Sequence, residues 1–124
     1  MVRSVVDLPA PLEPMAVLVN ADSYSAAEFF AAALSEYDRA VTVGTQTTGK
    51  ARVQITVGLP DGGALHISHY TYLTPQRQDL YENGGLTPDV VCELDEEQTT
   101  LFAAGWLEPE DDAQVQAAVA ALQP

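Results

Sequence analysis

Residues 15–44, MAVLVNADSYSAAEFFAAALSEYDRAVTVG, decide the fold. Met15 to Asn20 is a continuous apolar run closed by asparagine, the pattern of a short strand buried on both faces of a sheet, and Ala21-Asp22-Ser23 after it is turn-like. From Ser25 to Tyr37 the composition changes to good helix formers. Phe29, Phe30, Ala33, Leu34 and Tyr37 recur at spacings of three and four, which predicts one apolar helix face turned inward. Asp38-Arg39 then leads into a second short apolar run, AVTVG over residues 40–44. Strand, helix, strand in that order predicts a β-α-β crossover with parallel strands.

Downstream, Val53 to Leu59 and Ala64 to Leu73 flank Pro60-Asp61-Gly62-Gly63. This reads as a hairpin, because Pro presets one turn residue and Gly accepts positive φ at another. Asn83-Gly84-Gly85 marks a further turn before a final short strand, Asp89 to Leu94. Asp95 to Glu97 reads as a solvated acidic linker. A helix is expected over residues 111–122 with Val115, Val119 and Leu122 facing inward, and Leu101, Phe102 and Trp106 are expected to pack back on the sheet. Upstream, Pro9, Pro11 and Pro14 favour an extended arm over residues 1–14. The expected organisation is thus an arm (1–14), an α/β core unit (15–94) and an acidic linker with a C-terminal helix (95–124).

With 124 residues, 47% hydrophobic and 19% charged, the chain has the composition of one globular domain. Five Lys plus Arg against 18 Asp plus Glu gives a net charge of −13, a field that repels phosphate backbones and anionic lipid and argues against a nucleic-acid partner. No apolar run approaches the roughly 18–20 residues of a bilayer span, and residues 1–14 lack a secretory h-region, so neither a membrane segment nor an export signal is expected in this chain. The single cysteine, Cys92, excludes an internal disulfide and reads as a small core residue. His66 and His69 are three apart on an expected strand and point to opposite faces, which argues against a shared metal ion.

Four pieces bear on chemistry: Val19-Asn20 ending a strand, Ser25-Ala26-Ala27-Glu28 opening a helix, Gly49-Lys50 after the next strand, and Gln54. A serine in the first turn of a helix sits where unpaired N–H groups and the positive dipole end stabilise an oxyanion. Lysine serves as its base when burial strips water from the amine, and glutamine orients that amine without adding charge. Each residue also has a plainer reading. Ser-x-x-Glu is a capping box, Ser23 competes for either role, Lys50 alone is a solvated loop lysine, and Gln54 alone is a polar residue on an exposed strand. A regular strand would separate residues 50 and 54 by about 13 Å, so their cooperation requires a bend between them.

The stretch VLVNADSYSAAEFFAAALSEYDRAVTVGTQTTGKARVQ resembles the catalytic segment of the C-terminal processing (tail-specific) serine proteases. LPDGGALHIS, Tyr72-Leu73-Thr74-Pro75 and Gly85-Leu86-Thr87-Pro88-Asp89 extend the likeness from about residue 16 to about residue 94. The resemblance implies a crotonase-like β-α-β unit plus antiparallel hairpin, a fragment of a larger protease core. It also implies peptide-bond cleavage near protein C-termini through an acyl-enzyme, with no cofactor. It assigns Ser25 as nucleophile, Lys50 as general base, Gln54 as the residue positioning the lysine, and the Ala26 N–H to the oxyanion hole. Glu36 falls on a position where members carry another acid. Substrates would be C-terminal segments of proteins or peptides, the remaining partner the rest of the parent protease with a PDZ domain, and the setting extracytoplasmic. The rival reading is a non-catalytic binding or regulatory module that keeps the protease fold.

Overall fold

The computed structural model describes residues 13–123, so the Pro-rich arm expected over residues 1–14 falls almost wholly outside the described residues. Strands β1 (Ala16–Val19) and β2 (Val41–Gly44) flank helix α1 (Ala26–Glu36) and pair in parallel, Ala16 opposite Val41 through Val19 opposite Gly44. This is the expected β-α-β unit. A third parallel strand, β5 (Val90–Val91), adds to the other side of β2 and gives the order β1-β2-β5. The central strand is sealed on both faces, with Thr42 and Val43 fully buried. Its last residue must be glycine: Gly44 has φ +132°, and a Cβ there would lie 2.0 Å from the Val19 carbonyl oxygen.

The helix buries a different face from the one its large apolar residues outline. Glu28, Ala31 and Ala32 are inside, while Phe29, Phe30 and Tyr37 are 37%, 64% and 72% exposed. The small alanines let the helix lie close to the sheet. Phe29 still reaches a neighbour, meeting the Tyr72 ring edge-on at 5.5 Å.

β3 (Arg52–Gly58) and β4 (Ala64–Thr71) form a separate antiparallel ribbon, closed where Leu59 N–H donates to Gly63 O at 2.8 Å. Its apolar residues Val53, Val57, Leu65 and Tyr70 are each at least 41% exposed. A small core of Ala32, Ala51 and Leu80, with Tyr72 and Leu86 packed on it, joins α1 to the entrance of β3.

Four expectations at the C-terminal end change. β5 is shorter than residues 89–94 because β2 stops at Gly44: Cys92 N–H takes the Gly44 carbonyl at 2.8 Å, and the Cys92 carbonyl turns to accept from Gln114 Nε2 instead. The stretch read as an acidic linker holds a helix, α2 (Glu96–Ala104), with Asp95 as N-cap accepting from Gln98 N–H and Gly105 closing it at φ 73°. The last helix, α3 (Ala113–Ala121), is capped by Asp112, whose Oδ1 accepts from Gln114 N and Val115 N. Its buried residues are Gln114 and Ala118, whereas Val119 is 50% exposed, because the Gln114 side chain is drawn inward to the Cys92 carbonyl. Phe102 and Trp106 do not pack on the sheet; they are 53% and 74% exposed.

Candidate active site

Ser25 is held by the turn that leaves β1. Ser23 N–H donates to Asn20 O at 2.9 Å, and the Ser23 hydroxyl accepts from Asn20 N–H at 3.1 Å, which commits the rival serine to the turn. Ser25 caps α1, and its N–H donates to Glu28 Oε2 at 2.8 Å, so the capping-box reading holds as local structure. An ordinary cap has extended backbone. Ser25 instead sits at φ 59° and ψ −123°, a strained conformation for a residue with a Cβ. Cap and sharp elbow coincide in one residue. Ala26 is the first helical residue, and helix geometry leaves its N–H without an intrahelical partner.

Glu28 is the hub, a role larger than the one its capping motif suggests. Fully buried, its carboxylate takes four bonds: Ser25 N–H (2.8 Å) and Lys50 N–H (2.9 Å) on Oε2, Gly49 N–H (2.6 Å) and Thr47 Oγ1 (2.5 Å) on Oε1. A buried carboxylate is tolerable when donors fill both oxygens, and here the donors come from both sides of the site. One side chain thus fixes the backbone of Ser25 relative to that of Lys50. Thr48 adds a second tie, its N–H to Ser23 O at 3.0 Å and its hydroxyl to Ala21 O at 2.7 Å. Gly49 is required in this loop, because at φ +81° a Cβ would stand 2.8 Å from Gly85 N.

Ser25, Ala26, Lys50 and Gln54 line one pocket of about 440 Å³ together with Phe29, Arg52, Val53 and Tyr72. A β-bulge on β4 interrupts the ribbon pairing beside Gln54. Val53 pairs with Tyr70 but Gln54 with Ser68, so His69 is the extra residue and the ribbon kinks there. The Tyr72 hydroxyl donates to the Lys50 carbonyl at 2.8 Å. Burial raises the Tyr72 phenol above its usual value, opposed by the neighbouring Ser25 hydroxyl and reinforced by the Glu28 charge. The Lys50 side chain is exposed, with Nζ 5.4 Å above the Tyr24 ring, so the described residues do not supply the desolvation that a lysine base needs. Arg52 also reaches the pocket, stacked 4.1 Å over Tyr81 and 3.8 Å from Glu82.

Glu36 stands outside this pocket. It receives Thr74 Oγ1 at 2.5 Å and Gln76 N–H at 2.7 Å, pinning the chain that leaves β4 to the end of α1. Tyr72 and Arg52 carry no local sequence signal for the site, since strand pairing and the exit loop of β4 bring them there. Among the described residues no cluster of His, Cys, Asp and Glu suits a metal ion, and no helix is long and apolar enough to cross a membrane.

A model of peptidase family S41 matches residues 7–92. The chain is 41% identical over 80 residues to carboxyl-terminal-processing peptidase 3, chloroplastic, of Arabidopsis thaliana, covering 64% of this chain and 15% of that protein. It is 41% identical over 81 residues to the carboxy-terminal-processing protease of Bartonella bacilliformis, covering 65% and 18%. Among solved structures it resembles a photosystem II D1 C-terminal processing protease, with TM-score 0.63 and 33% identity over 85% of this chain and 26% of that one. The chain therefore spans less than a fifth of the length of these two relatives.

Proposed function

The chain belongs to peptidase family S41, and we propose that it carries the nucleophile and base of a C-terminal-processing serine endopeptidase, as one part of a larger catalytic core. The observation that carries this reading is the convergence of Ser25, Ala26, Lys50 and Gln54 on one pocket, with Ser25 on a strained backbone elbow at the helix N-terminus. Ser25 Oγ attacks the scissile carbonyl carbon while Lys50 Nζ takes the hydroxyl proton, and the Ala26 N–H donates to the oxyanion that forms. Collapse breaks the C–N bond, and Lys50 returns its proton to the departing amine. Water, deprotonated by Lys50 Nζ, then attacks the acyl carbon, and Lys50 returns that proton to Ser25 Oγ as the acyl group leaves. Gln54 orients the amine, and Glu28 holds the Ser25 and Lys50 backbones in register. Substrates are C-terminal segments of proteins or peptides, bound with the help of the rest of the parent protease, including a PDZ domain.

Acylation by an activated ester, followed by mass spectrometry, tests this. Expected is slow, Ser25-specific acylation of the chain, absent in Ser25→Ala and strongly reduced in Lys50→Met and Gln54→Ala. Peptide hydrolysis by the chain alone should be weak, since the Ala26 N–H is the one donor assigned to the oxyanion hole and a second would be worth about a hundred- to a thousandfold in turnover. Acylation indifferent to Lys50→Met would reject the Lys50 base. The exposure of Lys50 favours a second reading, a binding module that keeps the fold; Ser25-dependent hydrolysis of an unstructured peptide would exclude it.

A further inference from the structure

The ribbon carries a hydrogen-bonded row that the proposed chemistry leaves unused. Thr56 Oγ1 lies 2.9 Å from His66 Nδ1, and His66 Nε2 lies 3.2 Å from Gln54 Oε1. Strand register builds it: Thr56 is directly opposite His66, and Gln54, two residues back on the same face of β3, is diagonal to it. We propose that His66 is a positioning residue for the Lys50 base: it holds the oxygen of the Gln54 amide and thereby turns the amide NH2 into the pocket.

This rests on the reading of Lys50 as base and Gln54 as its partner, and it adds the direction in which Gln54 must face. An imidazole nitrogen beside an amide oxygen has to carry the proton, so Nε2 is the donor and Nδ1 the acceptor, free to take the Thr56 hydroxyl proton. One neutral tautomer satisfies all three groups. With Oε1 occupied on the ribbon, Gln54 presents donors to the pocket that it shares with Lys50. A neutral amine has a lone pair to receive a donor, and an ammonium has none. Gln54 held this way pairs with the form of Lys50 that accepts the serine proton. Turned over, with its oxygen in the pocket, it would pair with the form that cannot. His66 is thus a switch on the sense of the Gln54 contact, while it never touches the reacting atoms.

The test has a structural arm and a kinetic arm. Long-range 1H–15N correlation spectra of the 15N-labelled chain at about pH 8, where an ordinary imidazole is neutral, should show His66 as the Nε2–H tautomer. Thr56→Val should shift it toward a mixture, and His66→Phe should move the Gln54 side-chain amide signals. A His66 ring in the Nδ1–H form, or Gln54 signals unmoved by His66→Phe, overturns the proposal whatever the kinetics. Among variants that keep the native spectrum, Ser25 acylation should fall about tenfold in His66→Phe, the scale of one lost orienting hydrogen bond. His66→Gln, which keeps a donor toward Oε1, should recover most of it. Should Gln54→Ala slow acylation while His66→Phe does not, the positioning role fails and the Lys50 base stands. Should Lys50→Met leave acylation unchanged, the base assignment fails, and the spectra alone then decide whether His66 orients Gln54.

Discussion

β2, at the centre of the β1-α1-β2 unit, is sealed, while the β3–β4 ribbon is open. Thr42 and Val43 of β2 are fully buried, while Val53 and Val57 of β3 are 41% and 42% exposed. The candidate site straddles this divide. Ser25 and the buried Glu28 belong to the unit around β2, Gln54 and His66 to the ribbon, and Lys50 to both, its backbone gripped by Glu28 and its side chain in solvent. The difference teaches a division of labour: the unit around β2 fixes where Ser25 and Lys50, the proposed nucleophile and base, stand, and the ribbon sets which groups face them.

Glu28 offers the strongest way to break that comparison. Glu28→Leu removes the acceptor of Ser25 N–H, Gly49 N–H, Lys50 N–H and the Thr47 hydroxyl. At about 1–3 kcal/mol for each buried donor left unpaired, and less than additively, the loss should exceed about 4 kcal/mol, enough to unfold a marginal domain. Val57→Thr on the ribbon should stay within about 0.5 kcal/mol. Urea unfolding of both variants decides it, and equal midpoints would show that the sealed and open regions do not differ in energy.

The glycines give a matched pair of smaller effect. Gly44→Ala drives a Cβ against the Val19 carbonyl at a positive φ and should cost roughly 2 kcal/mol or more. Gly58→Ala, at the end of β3, meets nothing within 4 Å and should change stability by less than about 0.5 kcal/mol. A destabilising Gly58→Ala in the thermal melt would mean that the ribbon end is covered in solution.

Acid sharpens the contrast further. Burial raises the Asp89 carboxyl, but the Thr42 N–H and the Thr42 and Ser35 hydroxyls outweigh it and leave the group below its usual value of 3.8. A carboxyl depressed on folding contributes stability that is fully present above the unfolded value, and that stability is lost as pH falls through the folded one. Asp89 ties β2 to the segment entering β5, so Asp89→Asn should be less stable than wild type at neutral pH and converge with it as the pH falls below the ordinary carboxylate range. Urea midpoints across pH 2–7 check this; a constant gap down to the lowest pH would show that the hydrogen bonds do not depend on the carboxyl's charge.

How much of this was legible follows from what each feature depends on. The parallel β-α-β unit and the hairpin were readable because each rests on local periodicity and turn signals, whereas Ser25, Lys50 and Gln54 were singled out through the resemblance to the protease family and share one pocket in the fold. The buried face of α1 was not: side-chain size pointed to Phe29 and Phe30, whereas close packing on the sheet selected Ala31 and Ala32. Glu28 showed only its capping role, since three of its four donors come from a loop about 20 residues away and only the tertiary fold delivers them. The bulge at His69 depends on register across the ribbon, which residue pattern alone leaves open. Helix α2 did carry its own signals, Asp95 as N-cap and Gly105 as C-cap, but its acidic first turn also fits a solvated linker.

The smallest predicted effect lies in the C-terminal extension, where the same divide recurs between two helices. α3 is anchored, because the buried Gln114 hands its amide to the Cys92 carbonyl at the end of β5 at 2.8 Å. α2 buries no residue and reaches across through Gln98 Nε2 to the Asp111 carbonyl at 2.5 Å, and Trp106 just beyond it is 74% exposed. A tryptophan buried on the sheet would remove about 150–250 Å² from water and cost several kcal/mol on truncation. An exposed one has nearly its full hydration in both states, so Trp106→Ser should shift unfolding by less than about 0.5 kcal/mol. Gln114→Ala, by contrast, leaves the Cys92 carbonyl without its donor and should cost about 1–2 kcal/mol. Thermal melts of the two variants rank them, and a Trp106→Ser loss as large as that of Gln114→Ala would mean that in solution α2 and Trp106 fold down onto the sheet.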